Sequence, residues 1–319
     1  MPISNTDPWP EIPLAEWEDT LATLHLWSQV IGKVELRRAP LVNHWWGSTF
    51  HLTSRGWTTG PIPCGARTFD LEMDFIDHRT VVSASDGRRE VVEMRPRSVA
   101  DFYRAVSAAL DELDLATPIR TLPSEIEDAI PLDRDESHRA YDPDAAQRFW
   151  RATLSAHRVL GEFRARFVGK CSPVHFFWGS FDLTVTRFSG RRAPAPTRAM
   201  PGYPRWANAE AYSHECSSAG FWPGQGLGHA AFYAYAYPEP SGFAGARVSP
   251  EAAAYSEDFG QFLLPYDAVR NATDPDGTLL AFLQSTYEAA ANSGGWKRED
   301  LERAPEEIER LERLLGRQR

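Results

Sequence analysis

The chain is poor in cysteine. Among its 319 residues only Cys64, Cys171 and Cys216 occur, far apart and with no C-x-x-C pair. An odd, scattered set argues against a disulfide framework and against a structural zinc site, and it fits a reducing cytoplasm. No run of about 18 apolar residues is present, so no membrane-spanning helix is expected. The opening stretch MPISNTDPWPEIPLAEWEDT lacks a basic start followed by an apolar stretch, so no secretory signal peptide is expected there. Positive charge is also in deficit. The net charge of -10 disfavours nucleic acid as a partner, because phosphate binding needs a basic face. Neither H-E-x-x-H nor a phosphate-cradling glycine loop is present, since GFWPGQGLG reads as a turn-rich loop. No cofactor or metal is assigned, and the expected partner is a small-molecule ligand, with no membrane and no nucleic acid.

What is present is ordinary globular composition, with 42% hydrophobic and 24% charged residues. Two stretches resemble each other, IGKVELRRAPLVNHWWGSTFHLTSR (31–55) and VGKCSPVHFFWGSFDLTVTR (168–187). Each has a G-K pair, a loop, a His-aromatic-aromatic run, W-G-S and an alternating run ending in Arg. The His, Trp and Arg pairs are offset by 131 or 132 residues, the Lys pair by 137. A helix is expected before each block. The first places Trp17, Leu21, Leu24 and Ile31 near one stripe, and the second starts at Asp142-Pro143. Strands follow, with TFDLEMDF alternating Phe69, Leu71, Met73 and Phe75 against Asp70, Glu72 and Asp74. In AAFYAYAY, Tyr233, Tyr235 and Tyr237 share a face. A helix after Ser98 closes the first half, and one over 276–292 closes the second. Asp86-Gly87 suits a type I′ hairpin turn.

The expected fold is α+β, with two related halves arranged by a pseudo-twofold internal duplication. Each half is an antiparallel sheet flanked by helices. The expected boundaries are 1–123 for the first half, 124–143 for an acidic joint, 144–296 for the second half and 297–319 for a charged helical tail. A duplicated chain favours a monomer, because fused copies can supply the symmetric contact of a homodimer.

GKCSPVHFFWGSFDLTVTRFSGRRAP, SHECSSAGFWPG and FYAYAYPEP resemble a bacterial family known only as a domain of unknown function. WSQVIGKV, NHWW, TTGPIP, DFIDH and SVADFY fit it in the first half. The resemblance covers nearly the whole chain and implies a soluble, stand-alone bacterial protein. It carries no established activity, so the chemistry has to come from the residues.

The second half holds the richer polar set. His175, Asp182, His214 and Glu215 are the candidate catalytic groups, as a His with an orienting carboxylate or as ligands of a metal. His214 and Glu215 are neighbours, so on a strand they would face opposite ways. Asp182 shares a face with Thr184 and Thr186, which is either a solvated stripe or a site wall. Lys170, Arg187, Arg191 and Arg192 are candidate ligand contacts, with Arg198 and Arg205 in the same basic loop. Trp178, Trp222 and Tyr235 are rings that could stack on a ligand. Cys171 beside Lys170 reads as a buried thiol or a nucleophile. These features suggest an enzyme acting on a small anionic, ring-bearing molecule, or a binding protein with an aromatic and arginine-lined cleft.

Overall fold

Local capping chemistry sets where the long helices begin. In the computed structural model, which describes residues 7–197 and 204–316, the Ser98 hydroxyl accepts from the Asp101 amide and starts α2 (Val99–Glu112). Asp142 caps α3 (Pro143–Ala165), and Asp274 caps α6 (Pro275–Ser293), each with Pro in the first turn. Helix α1 (Glu18–Arg38) differs from the expected one-striped helix. From Thr20 to Glu35 only Ala22 escapes full burial. It is therefore a central helix, and the polar residues His25, Gln29 and Lys33 on it must find partners inside the protein.

The fold is α+β with two antiparallel sheets flanked by helices. The first sheet runs β1 (His51–Leu52), β2 (Gly56–Thr58), β4 (Arg67–Asp74), β5 (Arg79–Ala84) and β6 (Arg89–Glu93), with β3 (Ile62–Cys64) also paired to β4. On β4, Phe69, Leu71 and Met73 are buried as the alternation requires. The second sheet has the order β11 (Ala254–Ser256), β12 (Gln261–Pro265), β10 (Ala231–Tyr237), β9 (His214–Trp222), β8 (Asp182–Arg192) and β7 (His175–Phe177). The sheets meet at one antiparallel bridge, Phe50 with Phe176. Leu183, Phe221, Phe232 and Leu264 lie side by side on one face of the second sheet and are buried where α3 and α6 pack. The opposite face carries the polar side chains.

Three local expectations need correction or refinement. The Asp86-Gly87 turn is not type I′, because Gly87 alone has a positive φ, of 91°. The loop has three residues, with Gly87 N–H bonded to the Ala84 carbonyl, and Asp86 keeps its ordinary backbone while its carboxylate accepts from Arg67 and Arg88. NHWW and HFFW also differ in structure: Asn43–Trp45 is a tight turn with His44 and Trp45 at positive φ, whereas His175–Phe177 is β7. The tail divides in two. Its start, with α7 (Arg298–Leu301), docks through Leu301 O to the amides of Val168 and Gly169, and α8 (Pro305–Leu314) follows on the surface.

Two glycines on helices give opposite expectations. A Cβ at Gly32 on α1 would collide with the Trp178 ring, whereas one at Gly161 on α3 would meet nothing. Gly32→Ala should destabilise by about 1–3 kcal/mol although alanine favours helix. Gly161→Ala should stabilise by up to about 1 kcal/mol. Urea denaturation measures both, and equal effects of the same sign would contradict the packing described.

Candidate functional site

The polar stripe of β8 is not solvated. Strand alternation puts Asp182, Thr184 and Thr186 on one face, with Cys216 and Ser218 of β9 and Tyr233 and Tyr235 of β10 beside them. A roof partly covers this face and leaves a pocket of about 140 Å3. That is close to the size that accommodates one benzene-like ring. The roof comes from three places: the turn around His44 and Trp45 with Trp46, α4 (Arg205–Ala211) with Tyr212, and Glu125 of the joint. His44 donates to the Ala211 carbonyl at 2.8 Å, and Trp45 donates to the Ala207 carbonyl at 2.9 Å. These bonds hold two successive residues at positive φ, 57° and 64°, a conformation that costs energy outside glycine.

Glu125 is placed by α1. Gln29 grips the Ser124 backbone twice, accepting from its N–H at 2.7 Å and donating to its carbonyl at 2.9 Å. Lys33 donates to the Ser124 hydroxyl at 3.0 Å. Glu125 then lies against Gly179, where any side chain would displace its carboxyl. Asp182 accepts hydrogen bonds from the Ser180 and Tyr233 hydroxyls. Tyr233 reaches it by crossing β9 above Gly220, where a Cβ would sit 2.5 Å from the tyrosine oxygen. Ser218 links Thr184 and Thr186 through hydroxyl contacts of 3.2 and 2.9 Å, and Tyr212 meets Tyr235 at 3.2 Å.

Burial dominates the electrostatics. It pushes Glu125 up to about 7, with the nearby Asp182 charge adding to the shift. Asp182 is also raised by burial, against the pull of its Ser180 and Tyr233 bonds. Tyr212 rises to about 12, and Tyr233 lies well above its ordinary range, from burial and then from Asp182. At the other end of the cavity, Lys170 donates to His44 Nε2 at 2.6 Å, and its ammonium lies 5.0 Å from the Phe188 ring centre. The His214 ring lies 5.8 Å from that of His44. Burial lowers all three of these basic groups, and Lys170 adds to the effect at both histidines. Among the described residues no three His, Cys, Asp or Glu side chains converge as metal ligands.

A family model described as a family of unknown function, DUF5996, matches residues 9–303. The chain belongs to that family. No curated protein and no solved structure matches it.

In this DUF5996 chain the sequence candidates separate. Asp182 and Tyr235 line the cavity. Lys170 and His214 stand at its edge beside His44. His175 is fully buried behind the wall, bonded to the Thr49 hydroxyl at 3.1 Å, and burial lowers it to about 3. Glu215 lies apart in an ion pair with Arg191 at 2.6 Å. Arg191 also donates to the carbonyls of Gly294 and Gly295. Arg187 is buried at 1% exposure on the far face, stacked on Phe163 and Tyr287. Arg192 is exposed and pairs with His214 across the strands, while Arg198 lies outside the described residues. Arg205 is exposed at the start of α4. Cys171 is partly buried and its thiol is raised. Trp178 sits on Gly32, and Trp222 borders a wider outer cleft of about 530 Å3, which shares Glu125 and Ser180 with the inner cavity.

Glu125, His44, Tyr212 and Tyr233 complete the site. The tyrosine alternation pointed to Tyr233. Nothing in the aperiodic joint singled out Glu125.

The raised Glu125 gives a signed pH dependence. Its folded pKa of about 7 lies above the ordinary carboxyl value of about 4.3, so its contribution is complete below that value and is lost as pH rises through 7. Between pH 5 and 8, wild type should lose about 1–2 kcal/mol more than Glu125→Gln, allowing for partial exposure. Glu35, pushed up to about 9 by burial, contributes equally to both proteins and cancels. Parallel urea midpoints for the two across this range would contradict the assignment.

Proposed function

We propose that this protein is an enzyme in which Glu125 and Asp182 carry out acid–base chemistry on a small ring-bearing molecule. The observation that carries this reading is the carboxyl pair lining one pocket, with Glu125 raised to about 7. Two carboxyls sharing a low-dielectric space resist double ionisation, so one keeps a proton near neutrality. A group half protonated at working pH can both give and take a proton. Asp182, bonded to two hydroxyls, holds the charge and aligns Tyr233. Trp46, Phe177 and Phe188 supply flat walls for a ring. The outer cleft gives Glu125 a second exposed side through which substrate can approach.

The cavity's charge favours a neutral or cationic ring over an anionic one. Arg187 and Arg191 are engaged elsewhere, and the carboxyls would repel an anion. One feature supports a second reading, binding without chemistry: the Thr184–Ser218–Thr186 chain is a preformed hydroxyl lining.

A panel of single-ring compounds in neutral, cationic and anionic forms would be screened by thermal shift, and the hits incubated and analysed by mass spectrometry. The enzyme reading expects neutral or cationic hits that are converted, with turnover lost about 100-fold or more in Glu125→Gln. Binding without conversion would select the second reading. Hits confined to anions would overturn the charge assignment.

We also propose that the protein is a bacterial, cytoplasmic monomer built from two duplicated halves. In support, no helix among the described residues is long and apolar enough to cross a membrane. Each half runs helix, sheet, helix, and the two sheets touch at the single antiparallel bridge between Phe50 and Phe176. Sedimentation should give a mass of one chain, 35.8 kDa. A stable mass of two chains would count against the monomer.

A further inference from the structure

Lysine is rare in this chain, with only Lys33, Lys170 and Lys297 among 34 basic residues. Lys33 is also 93% buried, at 7% exposure. Its ammonium bonds the Ser124 hydroxyl and lies 5.7 Å from the Trp178 ring centre. Among the described residues no carboxylate pairs with it. The nearby guanidinium of Arg120 repels it, and burial with that repulsion lowers it to about 8. A buried cation beside a like charge is costly unless an anion answers it.

Lys33 lines a cavity of about 360 Å3, on the other side of Glu125 from the inner site. Arg37 and Arg120 stand at its exposed rim, and neither has an ion-pair partner among the described residues. The remaining wall is mostly apolar, with Leu36, Leu41, Leu122, Trp178 and Trp206, and Glu125, raised by burial to about 7, closes its inner end. Leu41 and Trp206 are 70% and 60% exposed, unusually high for large apolar side chains. Three cations therefore gather at one apolar cavity in a protein of net charge -10.

We propose that this cavity binds a molecule with an apolar body and a single anionic head, carboxylate or phosphate. The head would meet Lys33, Arg37 and Arg120, and the body would lie along Leu41, Leu122 and Trp206. The volume is within the range of small-ligand sites. This cavity shares Trp45, Glu125 and Phe177 with the carboxyl cavity, but its cations are its own, and the proposal does not rest on the acid–base reading.

Isothermal titration calorimetry with octanoate, octyl phosphate and 1-octanol tests it. At least one anion should bind, and 1-octanol should bind about tenfold more weakly or less. The preferred anion identifies the head group. Arg120→Gln, at an exposed position, should weaken anion binding about 3–10-fold, and Lys33→Met should weaken it more. If Lys33→Met fails to fold, the Arg120 variant with the 1-octanol comparison decides. Equal binding of 1-octanol and the anions would overturn the proposal. So would unchanged affinity in Arg120→Gln, or no binding of either anion at concentrations on the order of millimolar.

Discussion

The W-G-S loop of the second half rests on the central helix of the first, and the functional geometry depends on that contact. Trp178 fills the space that Gly32 leaves on α1. One residue later, the Gly179 carbonyl accepts from His25 Nε2 at 2.8 Å. Burial lowers His25 to about 4, so the ring is neutral and serves as a donor rather than a charge. Glu125 packs on Gly179, and Ser180 and Asp182 follow at once. All three cavities are bordered by this loop or by residues pinned to it. Moving the loop by an ångström would disturb both carboxyls and the Lys33 pocket together.

The interior contains many ionisable groups for its size, and each is handled differently. Arg187 is neutralised by no carboxylate but lies between rings, its guanidinium donating to the Phe163 carbonyl. Asp74 is answered by Arg55 at 2.7 Å. Asp182 is answered by hydroxyls, and Glu125 by protonation. Of these, Glu125 alone keeps a proton of its own that is exchangeable inside a cavity. This difference separates structural charge from chemical potential better than residue type does.

The architecture was readable because caps and alternation are local. Asp142-Pro143 starts α3, and TFDLEMDF points its apolar side chains inward. The separation of His214 from Glu215 also follows from strand geometry, since Glu215 turns to Arg191 and His214 to His44. The roof was not readable. Whether the Asp182 stripe meets water or protein depends on a turn at His44, a helix at 205–211 and a joint carboxyl, all remote in sequence. Arginines in a loop likewise look available until the turn just past α6 presents the Gly294 and Gly295 carbonyls to Arg191. Glu125 has no pattern around it, and its position comes from Gln29, nearly a hundred residues earlier.

The docking of the tail also marks a practical boundary. Leu301 bonds the amides of Val168 and Gly169, Arg303 bonds the Arg166 carbonyl, and Lys170 follows immediately. Past Arg303, Glu307 pairs back to the Arg303 side chain at 3.2 Å, and α8 runs on from there. A fusion partner attached there would leave the His44–Lys170 bond undisturbed. A protease cut between 297 and 303 would instead loosen the loop that presents Lys170, and so act on the site from a segment that does not line it.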